Sequence, residues 1–214
     1  AGLVQGKLIK GILAPKPANS DAYDEQYVFD FVGMLGLPLV PTAEIDTDAE
    51  TAFFSVHALK DPEFTNKLKK MLDVKKPVLI TDGLAKRLNI ISTDENLTVL
   101  KVGGNPSSLL KLTREELKPI RDKLLAPLGI RFDAPNKVAL YLISDPVTQM
   151  AGKHCLIVEN FNDEMVEATL EFFKSVEARK KLVLPPEGNV EFSYSQGKLK
   201  FTKVTPRTLV AVEY

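Results

Sequence analysis

Lys16, Tyr23, Asp24, His57 and Asp82 are the residues of this chain whose types and places could do chemistry together. An imidazole and a carboxylate at neighbouring strand ends can share a proton or orient a polar ligand. A lysine cation and a tyrosine hydroxyl would complete a small polar pocket. These five are the candidate ligand-binding set. No residue is assigned a catalytic role. Asp82 precedes Gly83 and could equally close a turn. His57 could equally hydrogen-bond a carbonyl near a strand end. Ser55 and His57 are two apart, and residues so placed on a strand share a face without exposing a nucleophile. The turn Thr81-Asp82-Gly83-Leu84-Ala85 has neither Cys nor Ser where an acyl-transfer nucleophile would stand.

Other chemistries find less. There are two histidines, His57 and His154, far apart in the chain, and one cysteine, Cys155. No carboxylate run has calcium-loop spacing, so neither metal nor cofactor is expected. Gly103-Gly104-Asn105-Pro106 lacks the Gly-Lys-Thr/Ser ending of a phosphate loop, and its proline removes an amide donor. Glu159, Asp163 and Glu164 flank a turn and read as an exposed acidic loop rather than paired catalytic acids. Cys155 lies in the apolar run Cys155-Leu156-Ile157-Val158 and reads as a buried, inert thiol. Lys+Arg and Asp+Glu both number 28 in 214 residues, so the formal net charge is zero. That balance argues against nucleic acid as a partner and removes a repulsion that would oppose self-association. No stretch approaches the roughly 20 apolar residues of a membrane helix. Cysteine usage leaves the compartment open.

The elements that would position the candidate residues alternate in the first part of the chain. Strands are expected at 8–14, 38–41, 52–56, 77–81 and 97–102. Helices are expected at 23–35, at 62–72, after Asp82-Gly83, and from the capping box Thr113-Arg114-Glu115-Glu116 to Leu125. This order predicts an α/β fold, a flavodoxin-like doubly wound parallel sheet. Its ligands would bind beyond the carboxyl ends of the strands, where the five candidates fall. From Phe132 only strands are expected, at 137–143, 153–160, 166–173, 181–184, 190–194, 198–204 and 209–212, with a hairpin turn at Ser195-Gln196-Gly197-Lys198. These form a C-terminal antiparallel β-sandwich domain. The division is residues 1–132 and 133–214. Phe29, Phe31, Phe53, Phe54, Phe64 and Tyr27 are many large rings for a small sheet, and a surplus would form an exposed apolar patch.

Residues from about Leu8 to Leu88 resemble the β-galactosidase trimerisation domain, a class I glutamine-amidotransferase-like fold. The likeness lies in the strand at 52–56, the helix from Asp61 to Leu72 and the strand Lys76-Pro77-Val78-Leu79-Ile80-Thr81. It implies a fold without the amidotransferase nucleophile, placed between a catalytic barrel and a small β domain, that helps to assemble oligomers. The stretch from Leu156 to Val166 is similar to the β domains that close many glycoside hydrolases, and 204–212 resembles their last strand. The segment 89–130 does not match. The resemblance implies a non-catalytic accessory or oligomerisation module of a carbohydrate-active protein. Its partner would be the catalytic domain of a larger protein or a second copy, with carbohydrate as a possible ligand. The alternative is small-ligand binding or hydrolytic activity at the strand ends. It requires the five candidates to converge within about 10 Å.

Overall fold

The structure, a computed structural model, describes residues 5–90, 93–144, 154–174, 176, 180–185 and 188–214. The chain opens with two short strands, β1 (Leu8–Lys10) and β2 (Ile12–Pro15), followed by helix α1 (Val28–Met34). Then come β3 (Leu39–Thr42), β4 (Ala52–Phe54), helix α2 (Phe64–Asp73), β5 (Val78–Thr81), helix α3 (Asp82–Arg87) and β6 (Leu97–Leu100). A single turn of 3-10 helix, Val56–Lys60, follows β4. β2 to β6 form a five-stranded sheet in the order β3-β2-β4-β5-β6, with every neighbouring pair parallel.

The continuous apolar runs of these strands have a simple cause: both faces of the sheet are covered. Alternate residues serve opposite sides. Ile12, Phe53 and Leu79 pack with Val28 and Val32 of α1, with Leu35 just after it, and with Leu117 and Leu124 of helix α4 (Arg114–Leu125). Ala52, Phe54, Val78 and Ile80 pack with Phe64, Leu68 and Met71 of α2 and Leu84 of α3. α4 starts at the expected capping box: the Thr113 hydroxyl accepts from the Glu116 N–H, and the Glu116 carboxylate accepts from the Thr113 N–H.

The remaining strands are β7 (Ile130–Asp133), β8 (Val138–Ser144), β9 (His154–Asn160), β10 (Val166–Phe172), β11 (Lys180–Leu184), β12 (Val190–Ser195), β13 (Lys198–Val204) and β14 (Leu209–Glu213). They build two antiparallel sheets, one of five strands in the order β1-β8-β9-β14-β11 and one of four in the order β12-β13-β10-β7. Leu140, Leu156, Val158 and Val210 of the first face Phe132, Leu170, Leu199 and Phe201 of the second in one buried cluster. The β12–β13 hairpin turns at Gln196 and Gly197, with φ of 49° and 78°. Positive φ at both central residues matches the right-handed twist of the strands it joins.

Three features depart from the local reading. The strand expected over 8–14 is two strands serving different sheets. β1 pairs with β8 in the sandwich, while β2 enters the parallel sheet, and the chain changes direction at Gly11. Secondly, β7 joins the four-stranded sheet, so residues before 133 supply a strand to each layer of the sandwich. One continuous core runs from Ile12 and Val28 through Leu117 and Phe132 to Leu199. Thirdly, α1 begins only at Val28, because 16–27 is a loop that holds Asn19, Tyr23 and Tyr27 at positive φ.

Of the six rings only Tyr27, 71% exposed, stays largely in solvent. Phe53, Phe54 and Phe64 are buried, Phe29 meets Phe53 edge-on at 5.7 Å, and Phe31 is half-buried. The exposed large apolar residues lie mainly elsewhere, among them Ile9, Tyr141, Leu182 and Leu184 of the five-stranded antiparallel sheet. Cys155 is buried, and burial pushes its thiol further up from the ordinary value, as suits an inert side chain.

Candidate functional site

In the order β3-β2-β4-β5-β6 the chain steps outward from β2 to β3, then returns across β2 to β4. The crevice beyond the carboxyl ends of β2 and β4 is therefore the switch point, where open α/β sheets take ligands. Loop 16–27 leaves β2 at this crevice, and the 3-10 turn Val56–Lys60 leaves β4 beside it. The loop folds into the crevice and occupies it.

Its deepest residue is Glu25, 1% exposed. Glu25 Oε2 accepts the Val56 N–H at 3.1 Å, whereas Oε1 has no hydrogen-bond partner. The Ser55 hydroxyl next to Val56 is likewise buried and unpartnered. Gly83, at the start of α3, makes room for the carboxyl: a Cβ there would lie 2.3 Å from Glu25 Oε1. Burial raises the Glu25 pKa, and the neighbouring Asp24 and Asp82 charges add to the rise. The Val56 N–H and the Thr81 hydroxyl oppose it.

Around Glu25 the five candidate residues separate into engaged groups. Asp82 accepts the Val102 N–H at 2.8 Å and the Gly103 N–H at 3.2 Å, so it clasps the turn after β6 to the head of α3. Asp24 pairs with Arg87 at 3.2 Å, and the Arg87 guanidinium lies 4.5 Å from the centre of the Tyr23 ring. His57 is 3% exposed and lies 5.5 Å, ring to ring, from Phe29. Lys16 places its ammonium 5.9 Å from the Phe29 ring centre. Loop 16–27 thus gathers the candidates around one crevice, and each has a protein partner there.

The Ser20–His57 contact has a defined polarity. Ser20 Oγ donates its only proton to the Pro17 carbonyl at 2.6 Å. Its 2.8 Å contact with His57 Nδ1 must then be a hydrogen bond from the imidazole to the hydroxyl. His57 carries its proton on Nδ1 and cannot take one from Ser20. The arrangement anchors the loop and does not activate a nucleophile. Burial and the Lys16 charge lower the His57 pKa, with Asp21 and Ser20 opposing, so the ring is neutral near pH 7.

Sequence reasoning passed over Glu25, Ser20 and Arg87. Asp24 and Glu25 are adjacent acids, and nothing local marks the second as the one that goes inside. That depends on the depth of the crevice and on the missing side chain at Gly83.

The two buried groups act on stability with opposite signs. Glu25 has a folded pKa above its ordinary 4.5, so its contribution is complete below pH 4.5 and is lost as pH rises through the folded value. His57 has a folded pKa below its ordinary 6.5, so its contribution is complete above pH 6.5 and is lost as pH falls through the folded value. Glu25→Gln is expected to leave stability nearly unchanged at about pH 4 and to raise it by about 1–2 kcal/mol at about pH 8, because a neutral amide no longer has to be charged in a buried place. Urea unfolding of both proteins at the two pH values checks this. An equal difference at both would show that the carboxyl does not titrate across this range.

Among the described residues no group of three or more His, Cys, Asp or Glu side chains could hold a metal ion. No protein-family model matches the sequence, and no curated protein matches it. Solved structures do show likeness. An alpha-L-fucosidase isoenzyme 2 from Paenibacillus thiaminolyticus is 10% identical, with a TM-score of 0.55 over 98% of this chain and 49% of that one. An apo exo-carrageenase GH42 from Bacteroides ovatus is 12% identical, with a TM-score of 0.31 over 87% of this chain and 26% of that one. The chain spans about half the length of the fucosidase. The structural neighbours are glycoside hydrolases, and the fucosidase likeness is one of fold.

Proposed function

We propose that this chain is a non-catalytic accessory and assembly module of a carbohydrate-active protein. The observation that carries the reading is the outward face of the five-stranded antiparallel sheet. Such a sheet normally turns polar side chains to water on its free face. Here the cross-strand register places Tyr141, Ile157, Ala211 and Leu182 in one row. Ala139, Glu159, Leu209 and Leu184 form the next. Ile143, Cys155 and Ala211 form a buried patch of their own on this side, separate from the sandwich core. Ile9, Tyr141, Leu182 and Leu184 around it are 55%, 38%, 39% and 45% exposed. A contiguous apolar face of this kind marks an interface.

The partner we assign to it is a second copy. The chain carries no net charge to oppose association. Glu159 stands in the row of Leu209, and Lys7 acts on the thiol of Cys155, so the apolar patch has charges of both signs near it. A catalytic domain of a larger protein is the competing occupant, and carbohydrate remains a ligand for the assembled protein rather than for this face.

The parallel sheet is best read as flavodoxin-like, because counting its own strands from the N-terminus its order is 2-1-3-4-5. An amidotransferase-like ancestry of the trimerisation kind agrees with the Thr81-Asp82-Gly83 turn, which offers no nucleophile. Ligand binding or hydrolysis at the strand ends has less support, since Lys16, Tyr23, Asp24, His57 and Asp82 are each engaged within the protein.

Light scattering across a concentration series tests the assembly reading. The expected result is a dimer or larger species that Tyr141→Lys with Leu184→Lys converts to monomer, without loss of the fold by circular dichroism. A stable interface should bury at least about 1,000 Å². A monomer at every concentration would overturn self-association through this face.

A further inference from the structure

The second histidine belongs to a different place, the end of the sandwich where β8 stops at Ser144, β9 starts at His154 and β10 stops at Phe172. There the two sheets leave between them a cavity of about 710 Å³. This is in the range of small-molecule sites, roughly 300–1,000 Å³. Residues of both sheets line it, Leu142 and His154 from one and Ile130 and Phe172 from the other.

Two properties set this cavity apart. The first is a run of rings: Phe172 lies 4.8 Å from Tyr214, centre to centre, and Tyr214 lies 5.5 Å from His154. Such a wall offers π faces to a flat apolar body. The second is the sign of its charge. Lys10 and Lys174 line the cavity, and among the described residues no acidic side chain does. Both lysines are exposed, and neither forms an ion pair with a described residue. The chain as a whole has equal numbers of acids and bases, so a lining whose described acidic and basic side chains are the two lysines is a local departure. Ser144 Oγ and His154 Nδ1 are bonded at 2.6 Å on the same wall. Burial pushes the Tyr214 hydroxyl up to about 12, so it keeps its proton at neutral pH and can donate to an acceptor.

We infer that this cavity binds a small anion with a flat apolar body, a carboxylate or phosphate monoester, its charged head towards Lys10 and Lys174 and its body against Phe172 and Tyr214. Cations in a cleft with low-dielectric walls concentrate anions there. The ring wall then retains those with an apolar surface. The site is distinct from the assembly face, because its ligand enters between the sheets rather than on the outside of one.

Calorimetric titration with 2-naphthoate, 2-naphthyl phosphate and the neutral 2-naphthalenemethanol tests it. At least one anion is expected to bind tenfold or more tightly than the alcohol, and the tighter of the two anions identifies the head group. The variant carrying Lys10→Glu and Lys174→Glu is expected to lose at least tenfold in affinity while its unfolding midpoint stays near that of the parent. Leu184→Lys, on the outer face, should leave binding unchanged. Equal affinity for anion and alcohol, no measurable binding of either anion, or an undiminished affinity in the double variant would each overturn the assignment.

Discussion

Replacing Arg121 by methionine is expected to lower the unfolding free energy by about 3–5 kcal/mol. Arg121 on α4 is fully buried, yet among the described residues no carboxylate pairs with it directly. Its Nε donates to the Leu35 carbonyl at the end of α1 at 2.6 Å. Its terminal nitrogens donate to the carbonyls of Ala134 at 2.5 Å and Pro135 at 3.2 Å, in the connection from β7 to β8. The guanidinium also lies 5.6 Å from the centre of the Phe132 ring. One side chain therefore ties a helix of the parallel layer, a second helix and the entry to the sandwich. Burial pushes its pKa down to about 10, with Asp133 opposing, so it stays charged at neutral pH. Methionine would fill much of the volume but leave carbonyls without donors, each costing roughly 1–3 kcal/mol. For a chain of this size the melting temperature should fall by about 8–15 °C. Arg121→Lys should recover only part of the loss, because an ammonium cannot reproduce the planar fork that spans these acceptors. Thermal and urea unfolding of both variants decide the matter, and a loss under about 1 kcal/mol for methionine would refute the bridging role.

Gly11→Ala should be nearly as damaging, at about 3 kcal/mol or more. Gly11 has φ of 153°, and a methyl group there would lie 1.9 Å from the Pro38 carbonyl oxygen, which accepts the Ile12 N–H at 2.8 Å. The contact is with backbone, so no side-chain rotation relieves it. Either β2 separates from β3 or β1 separates from β8. The second costs less core, because β1 is an exposed three-residue edge strand. Hydrogen exchange should then show lost protection at Leu8–Lys10 and along β8, whose uncovered edge would invite intermolecular pairing. Alanine at this position with stability within about 1 kcal/mol of the parent would mean that the bend tolerates a side chain.

Much of this architecture is legible in local patterns. The apolar runs at 52–54 and 78–81 announce strands covered on both faces, and Thr113 with Glu116 announces the start of α4. Gln196-Gly197 announces a hairpin. In each case the signal and the structure involve residues a few positions apart, so propensity and tertiary packing agree. The loop after β2 is less legible in local pattern. The helical stripe holds at 28, 31, 32 and 35 but not at Tyr27, which is exposed and lies before the helix, because the residues before Val28 are drawn into the crevice by Glu25 and Ser20.

Composition and periodicity by themselves establish an α/β part followed by antiparallel strands, a balanced charge and the absence of a nucleophile from the turn at 81–85. Which acid fills the switch crevice, which sheet receives residues 8–10, and which cation is buried without a carboxylate are decided by tertiary contacts. Glu25 meets Val56 across 31 positions, Leu8 pairs with Ser144, and Arg121 reaches Leu35 across 86. No window of local sequence contains both members of such a pair. The face of the five-stranded sheet that meets the four-stranded one belongs with these, since alternation of apolar residues can serve either face, and only the packed sandwich shows which one enters the shared core.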